Sequence, residues 1–525
     1  KGVPGRVYDL LIEAYGGHGV WECGYGPVPH GVESVPEPRP AQCTVGETSI
    51  GIWDEEAYQA CMDFTTLLYL RDNLEQDSLR VAEIDAGLRE FTLVADVELP
   101  RPALRDALRA GRARLRPLLA CANGSTAPRM YCFGHSHIDV AWLWPLQETE
   151  RKCRRTFATQ LALMAEYPEY KFLQSQTHLY WMTKTKYPAL YKRIKAAARA
   201  GQWIPDGGMW VEPDTNIAGG EALIRQFMHG KRFFRDEFGV ESELMWLPDV
   251  FGYSGALPQI MRGCGIKYFS TQKIFWNYHG GENFPHHTFW WEGIDGTRVL
   301  AHFHNDYNSE TTPQHIIKRW NDRVQKDGIV SRLFPFGWGD GGGGPTRDHL
   351  EFLRRMKNLE GAPQCRLEHP VTFFTDEEQR RASLPTYVGE LYFQAHRGTY
   401  TSQCGVKTGN RRGEFALRDA ELWSVIARMR ARRAVPLKEL DALWKILLLN
   451  QFHDILPGSS IARVYEEAAR DHAKVCTDAG VLAAAARRAL VKTSRAALTV
   501  FNTLSWERRA LVPLPKQFRG AISSD

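Results

Sequence analysis

No Cys-x-x-Cys pair occurs among the ten cysteines of this 525-residue chain, which are scattered singly. That excludes a zinc ribbon and a dense disulfide framework, and reduced cysteines in a cytosolic protein are the simplest reading. No apolar run reaches the ~18 residues that a membrane span requires. Neither sign of charge dominates: a net +5 over this length gives no case for nucleic acid. No signal-peptide pattern follows Lys1. The one glycosylation sequon, Asn123-Gly124-Ser125, is short enough to arise by chance. What remains is an ordinary globular composition, 43% hydrophobic and 24% charged, in a chain long enough for about three domains. Both ends read as cut from something larger, so a further C-terminal region is expected.

Four regions are expected. Residues 1–125 are mixed, with a Gly/Pro/Val-rich stretch from Trp21 to Gly51 and helices over Glu55–Asn73 and Pro102–Leu119. The second helix is Arg-rich on one face, which reads as a solvated surface. From 126 to 395, short apolar runs alternate with amphipathic segments. The runs are Met130–Phe133, Tyr170–Leu173, Gln202–Ile204, Leu244–Leu247, Lys267–Phe269, Arg298–Phe303 and Leu333–Phe336. Helical spacing falls over Glu148–Ala165, Ala189–Ala200 and Gly220–Phe238. Strand then helix, repeated, predicts an α/β unit with a parallel sheet, closed as a seven-stranded β/α barrel. Residues 396–493 read as a helical bundle over Arg411–Arg433, Leu437–Gln451 and Ala462–Thr493. Residues 494–525 read as the start of a β domain, with strands over Ala497–Phe501 and Ala510–Leu514. Pro513 confines the latter to an edge.

Nearly every apolar run is followed at once by polar or glycine-rich residues, and in barrel enzymes the chemistry gathers at the C-terminal strand ends. Gly134-His135-Ser136-His137-Ile138-Asp139 follows the first run. His137 and Asp139, two apart in extended backbone, point to the same side, and imidazole plus carboxylate is a partial zinc set. Trp246-Leu247-Pro248-Asp249-Val250-Phe251-Gly252-Tyr253-Ser254 holds Asp249 rigidly enough to ligate a metal or act as a nucleophile. It would otherwise cap the next turn. Gly337-Trp338-Gly339-Asp340-Gly341-Gly342-Gly343-Gly344 offers Asp340 as a candidate acid/base, and its glycines let backbone approach a ligand closely. Asn450-Gln451-Phe452-His453-Asp454 ends a very apolar helix, where a satisfied core histidine is the bland reading.

These four motifs, in this order, resemble glycoside hydrolase family 38, the α-mannosidases, and more narrowly their cytosolic and vacuolar branch. The resemblance runs from about Phe133 to Phe501. It implies that His137, Asp139, Asp249 and His453 bind zinc, with cobalt acceptable to the same ligands. It makes Asp249 the nucleophile as well as a ligand. Asp340 matches the acid/base, in a pattern with one acid followed by glycines where other branches have paired acids. Trp142 matches an aromatic that stacks under the sugar, and Phe251 and Asp454 match residues that line the sugar subsite. The sixteen tryptophans suit stacking on sugar rings as well as a core. The implied enzyme is a metal-dependent retaining α-mannosidase acting on mannose-containing oligosaccharides, cytoplasmic, with a vacuolar or lysosomal location and self-association left open. Retaining glycosidases place two carboxyl groups ~5 Å apart, and two strand ends at one barrel rim can do so. A cation bound to O2 and O3 would select mannose by its axial 2-hydroxyl.

Two other readings stand beside this one. A zinc-dependent polysaccharide deacetylase also sets Asp and His on an α/β barrel, but here the last ligand lies far downstream, in a bundle. A sugar-binding protein without turnover would not need every catalytic carboxylate. His135 is a candidate to support the ligands from behind, and His286-His287 a rim or core feature. His396 is expected to border the subsite, and Glu212 and Asp214 remain unassigned.

Overall fold

A computed structural model of the chain describes residues 6, 51–276, 284–326, 328–380, 383–491, 498–509 and 511–512. Three helices lead in: α1 (Glu55–Arg71), α2 (Leu79–Val94) and α3 (Arg101–Leu119). The α/β part follows as β1 (Arg129–His135), α4 (Leu146–Glu166), β2 (Phe172–Gln174), α5 (Thr177–Lys186), α6 (Pro188–Arg199), β3 (Trp203–Pro205), α7 (Gly220–Phe238), β4 (Leu244–Trp246), α8 (Leu257–Gly263) and β5 (Tyr268–Thr271). It continues through β6 (Thr288–Glu292), β7 (Arg298–Phe303), α9 (Pro313–Asn321), β8 (Ser331–Phe336), α10 (Arg347–Arg355), β9 (Gln364–Leu367), α11 (Pro370–Arg380) and β10 (Thr386–Val388). The long helices α12 (Cys404–Ala431), α13 (Leu437–Leu449) and α14 (Ala462–Leu490) close the chain. No helix among the described residues is long and apolar enough to cross a membrane.

All seven expected strands are present, but they divide between two sheets. One has the order β3-β2-β1-β8, with β9 also paired to β1; the other has β10-β6-β7-β5-β4. Among the described residues the hydrogen bonding does not close into a ring. The sequence reading passed over β6, β9 and β10. It also took every pairing as parallel, whereas β6 runs antiparallel to β7. Where β8 meets this hairpin, side chains replace the missing ladder: the Leu333 amide donates to His302 Nε2 at 3.4 Å.

The strands read as unbroken apolar runs because both faces are covered; in β1 every residue from Met130 to His135 is buried. Tyr131, Phe133, Leu173, Ile204, Leu244, Trp246, Leu300 and Leu333 form an inner cluster with Phe373 and Phe374 of α11. Helix α7 stops at Phe238 because Gly239 takes a left-handed φ of 73°, where a side chain would be strained. The Arg-rich face of α3 is not merely solvated. Arg112 reaches Asp63 at 2.7 Å and Glu56 at 2.8 Å on α1, and Arg109 also reaches Glu56.

The bundle docks through buried polar bonds. Gln226 on α7 donates to the Leu448 carbonyl at 2.9 Å, and the Asp214 amide donates to that of Gln451 at 2.8 Å. Arg225 pairs with Glu421 at 2.7 Å. Expected strands at the C-terminus are not seen: residues 498–501 and 511–512 carry no strand, and Ala497, Ala510, Pro513 and Leu514 lie outside the described residues. A strand needs a neighbour to complete its ladder. Here Phe501 packs edge-on against Trp423 of α12 instead. The stretch Trp21–Gly51 also falls outside the described residues, apart from Gly51.

Candidate active site

The segment after β1 and the turn after α13 meet over the strand ends. Ligand-type atoms of His137, Asp139, Asp249 and His453 all lie within 4.8 Å of one another, and all four residues are buried. His137 Nε2 stands 2.9 Å from Asp139 Oδ1, so the two-residue spacing does put both groups on one side. Asp139 is pinned from behind, its amide donating to the Asp340 carbonyl at 2.8 Å.

His453 tests whether a cation fits. Its Nδ1 donates to the Glu212 carbonyl at 2.9 Å, which turns the Nε2 lone pair inward. That Nε2 makes no hydrogen bond, yet carboxylate oxygens of Asp139, Asp249 and Asp454 lie 3.3, 3.6 and 3.6 Å away. A lone pair among three carboxylates is repulsive unless something positive sits between them. Without a metal the proton takes that part: burial opposes charge on the ring, but the carboxylates of Asp139, Asp249 and Asp454 outweigh it and raise His453 to about 10. Burial likewise opposes charge on His137, yet Glu212 and Asp139 raise it well above the ordinary histidine range. Two imidazoles and two carboxylates are a donor set that zinc accepts, so the residues fit the group.

Asp249 has two differently placed oxygens. Oδ2 faces His453, whereas Oδ1 accepts from the Lys273 ammonium at 2.7 Å and the Tyr307 hydroxyl at 3.0 Å. Burial pushes this carboxyl up, but Lys273 and the histidines hold it far below the usual carboxylate range. Asp340 is driven the other way, to about 6, by burial and by the charges of Asp139 and Asp249. Its Oδ1 lies 2.6 Å from the same Tyr307 hydroxyl. One hydroxyl within reach of both sets the two carboxyl groups side by side.

The glycine run after Asp340 has a cause within the fold itself. Asp340 itself takes a φ of 60°, and Gly342, Gly343 and Gly344 are also left-handed. A Cβ on Gly342 would meet Thr156 Oγ1 at 2.4 Å, and one on Gly344 would meet Gln160 Nε2 at 2.7 Å. At these two glycines the close approach is to α4, which anchors the loop. The loop is also closed on itself by Trp338 and Gly344, whose amides and carbonyls exchange hydrogen bonds.

Other expected residues gather nearby. Phe251 packs edge-on to His453 and to His396, with centroids 5.6 and 4.5 Å away. Asp454 accepts from Ser459 Oγ at 2.5 Å, and burial together with Asp139 raises it to about 8. Trp142 is half-buried in the same loop as Asp139, edge-on to Trp144. His135 does not join the cluster: its Nδ1 donates to the Leu173 carbonyl and its Nε2 accepts from Trp246. His287 is likewise interior, and Asp214 caps a turn by accepting from the Asn216 and Ile217 amides.

Three residues escaped the sequence reading. Lys273 and Tyr307 follow strands β5 and β7, so their strand ends were noted, but nothing in the pattern singled them out. Glu212 was named without a role. Its carboxylate lies 3.1 Å from His137 Nδ1 and accepts from Ser175 Oγ, while its backbone carbonyl holds His453.

Comparison with known proteins settles the lineage. The family model described as the glycosyl hydrolases family 38 N-terminal domain matches residues 127–390, and the alpha mannosidase middle domain matches 394–490. The chain belongs to glycosyl hydrolase family 38. "Alpha-mannosidase 2C1" of Homo sapiens is 39% identical over 90% of this chain and 45% of its own length. "Alpha-mannosidase G" of Dictyostelium discoideum is 44% identical over 68% of this chain and 33% of its own. The chain therefore spans less than half the length of these family 38 relatives. The crystal structure of an alpha-mannosidase from Enterococcus faecalis V583 superposes with a TM-score of 0.62 at 21% identity, covering 69% of this chain and 43% of that one, a likeness of fold.

Proposed function

We propose that this family 38 chain carries the catalytic machinery of a metal-dependent retaining α-mannosidase that removes terminal α-mannosyl residues from oligosaccharides. The observation that carries this reading is the pair Asp249 and Asp340, bridged by one tyrosine hydroxyl and driven to opposite protonation states beside a buried His/Asp donor set. Pairs of carboxyl groups pushed apart in this way mark an acid and a nucleophile. The relatives' names point to the same sugar.

Asp340, protonated below about 6, gives its proton to the glycosidic oxygen as the anomeric C–O bond breaks. Asp249, ionised beside Lys273, attacks the anomeric carbon and forms an ester-linked mannosyl-enzyme. Asp340, now a carboxylate, takes a proton from water as its oxygen displaces Asp249 with net retention. Tyr307 steadies both carboxyl groups, and Lys273 neutralises the nucleophile before attack. His137, Asp139, Asp249 and His453 would hold zinc, or cobalt, which when bound supplies Lewis-acid binding of vicinal sugar hydroxyls. Glu212 would orient His137 and His453 toward it. Trp142 would stack under the sugar, while Phe251 and Asp454 line its subsite.

The associated fold reading is a barrel whose seven strands present their C-terminal ends to one rim, supported by the convergence of motifs from β1, β4 and β8. The domain limits of 125, 395 and 493 go with it. All eight described cysteines are unpaired, which fits a cytoplasmic setting. A deacetylase needs no second carboxyl group as a glycosyl acid, so Asp340 and its bridge to Asp249 favour the glycosidase. Hydrolysis of an aryl α-mannoside, abolished by chelator and restored by zinc or cobalt, is the expected result. Acetate release from acetylated sugars, with full metal content and no glycoside cleavage, would overturn it.

A further inference from the structure

Strand β2 lies between β1 and β3, so the residues after it sit between the segments that follow those two strands. Gln176 is the N-cap of α5, yet its side chain makes no cap bond. It is 1% exposed and spends its amide on the two flanking segments. Its Nε2 donates to the Ile138 carbonyl at 2.8 Å, and its Oε1 accepts from the Glu212 amide at 3.3 Å. The first partner can only accept and the second can only donate, so the amide has one satisfied orientation. Its neighbour Ser175 adds a bond to the same acid, with Oγ 3.0 Å from Glu212 Oε1.

Both partners of Gln176 adjoin the donor set. The Ile138 carbonyl belongs to the same peptide unit as the Asp139 N–H, which donates to the Asp340 carbonyl at 2.8 Å. A peptide unit is planar, so a bond on its oxygen also fixes the direction of its N–H. Gln176 on one edge and Asp340 on the other therefore set the plane from which Asp139 departs. Glu212, the other partner, has its carboxylate 3.1 Å from His137 Nδ1, and its carbonyl accepts from His453 Nδ1 at 2.9 Å. One buried amide thus joins the two segments that aim His137, Asp139 and His453. Moving either segment would strand a buried donor or acceptor, at a cost of about 1–3 kcal/mol for each group in general.

We propose that Gln176 is a positioning residue for the metal, fixing the spacing of the donor set through Ile138 and Glu212 without touching the ion. This rests on the metal-dependent reading above.

The test compares Gln176→Met, which fills similar space without either bond, with Thr183→Val. Thr183 is buried on the same helix, and its hydroxyl donates to the Leu179 carbonyl at 2.8 Å. Two quantities are read for each variant: the zinc dissociation constant in competition with a chelator, and the visible absorption of the cobalt-loaded protein, which follows the arrangement of the donors. Gln176→Met should weaken zinc about 10-fold and alter the cobalt bands. Thr183→Val should leave both as in the unaltered protein. Unchanged affinity and bands in Gln176→Met, even with a lowered thermal midpoint, would overturn the assignment. Equal weakening in Thr183→Val would do so too, because loosening of α5 would then suffice. Should Gln176→Met fail to fold, Gln176→Asn decides: it keeps the amide but is one methylene too short to span both bonds. Weakened zinc binding there supports the role, and native affinity refutes it. An unaltered protein that binds neither metal would instead break the metal-dependent reading itself, so the two failures are told apart.

Discussion

His135 and His137 are two residues apart, both buried, and shifted in opposite directions, one held neutral and the other drawn toward the cation. His137 and His453 face the carboxylates of Asp139, Asp249, Asp454 and Glu212 and are pushed toward the imidazolium form. His135, His178 and His287 meet carbonyls, indoles or a guanidinium, and burial holds each down to about 3. His302 and His304 go the same way. Burial alone makes histidine neutral; only a carboxylate at contact reverses that. The contrast separates residues that await a cation from those that fill the interior, which the motif Gly-His-Ser-His-Ile-Asp does not do by itself.

The sharpest break removes a carboxylate from the charged set. Asp249→Asn should lower kcat on an aryl α-mannoside by on the order of 10⁴-fold or more. Near-normal turnover with metal still bound would end its assignment as nucleophile. A milder change touches only the support: Glu212→Gln should weaken zinc binding by ~10–100-fold in competition with a chelator. Unchanged affinity would mean that Glu212 does not orient His137. A third test uses pH. Asp340 must be protonated to release the leaving group, so kcat/KM should fall as pH rises through about 6. In Asp340→Asn that limb should vanish, and natural disaccharides should suffer more than activated aryl glycosides.

The smallest effect probes the neutral set. Between about 3 and the unfolded value of ~6.5, the unfolded chain binds a proton at His178 that the folded chain refuses. Stability is therefore lost as pH falls, and His178→Gln should flatten the decline by about 1–2 kcal/mol at pH 5. Melting curves at pH 7 and 5 check this. An unaltered slope would show that His178 is protonated in the folded state as well.

How much of this was legible depended on whether neighbours in sequence or neighbours in space carried the information. The seven apolar runs became strands because burial on both faces writes itself as an unbroken apolar stretch. Helix α7 matched to the residue because Gly239 ends it. Strand β6 was passed over because its pairing is antiparallel and its histidine-rich lead-in read as a rim. In the site, His137 and Asp139 showed as a pair two apart, and Asp249, Asp340 and His453 through motifs with rigid Pro or Gly neighbours. Lys273 and Tyr307 carry no such flanks, and Glu212, although it precedes Pro213, belongs to no ligand-type pair. Their importance lies in contacts made between the segments that follow different strands, which no local pattern records. The packing of the glycine run stayed hidden for the same reason, since the helix it packs against lies almost two hundred residues earlier in the chain.

His453 enters the cluster from the turn after α13, held by a backbone bond to Glu212 and by the α7–α13 contacts. The donor set is therefore stitched from segments that emerge early and late during synthesis, and a growing chain holds no complete set until the bundle has docked. A metal held there, as the proposed function requires, would tie the two parts together, and its binding energy would become part of the energy of assembly. Loss of that metal would then loosen the protein where bundle meets sheet.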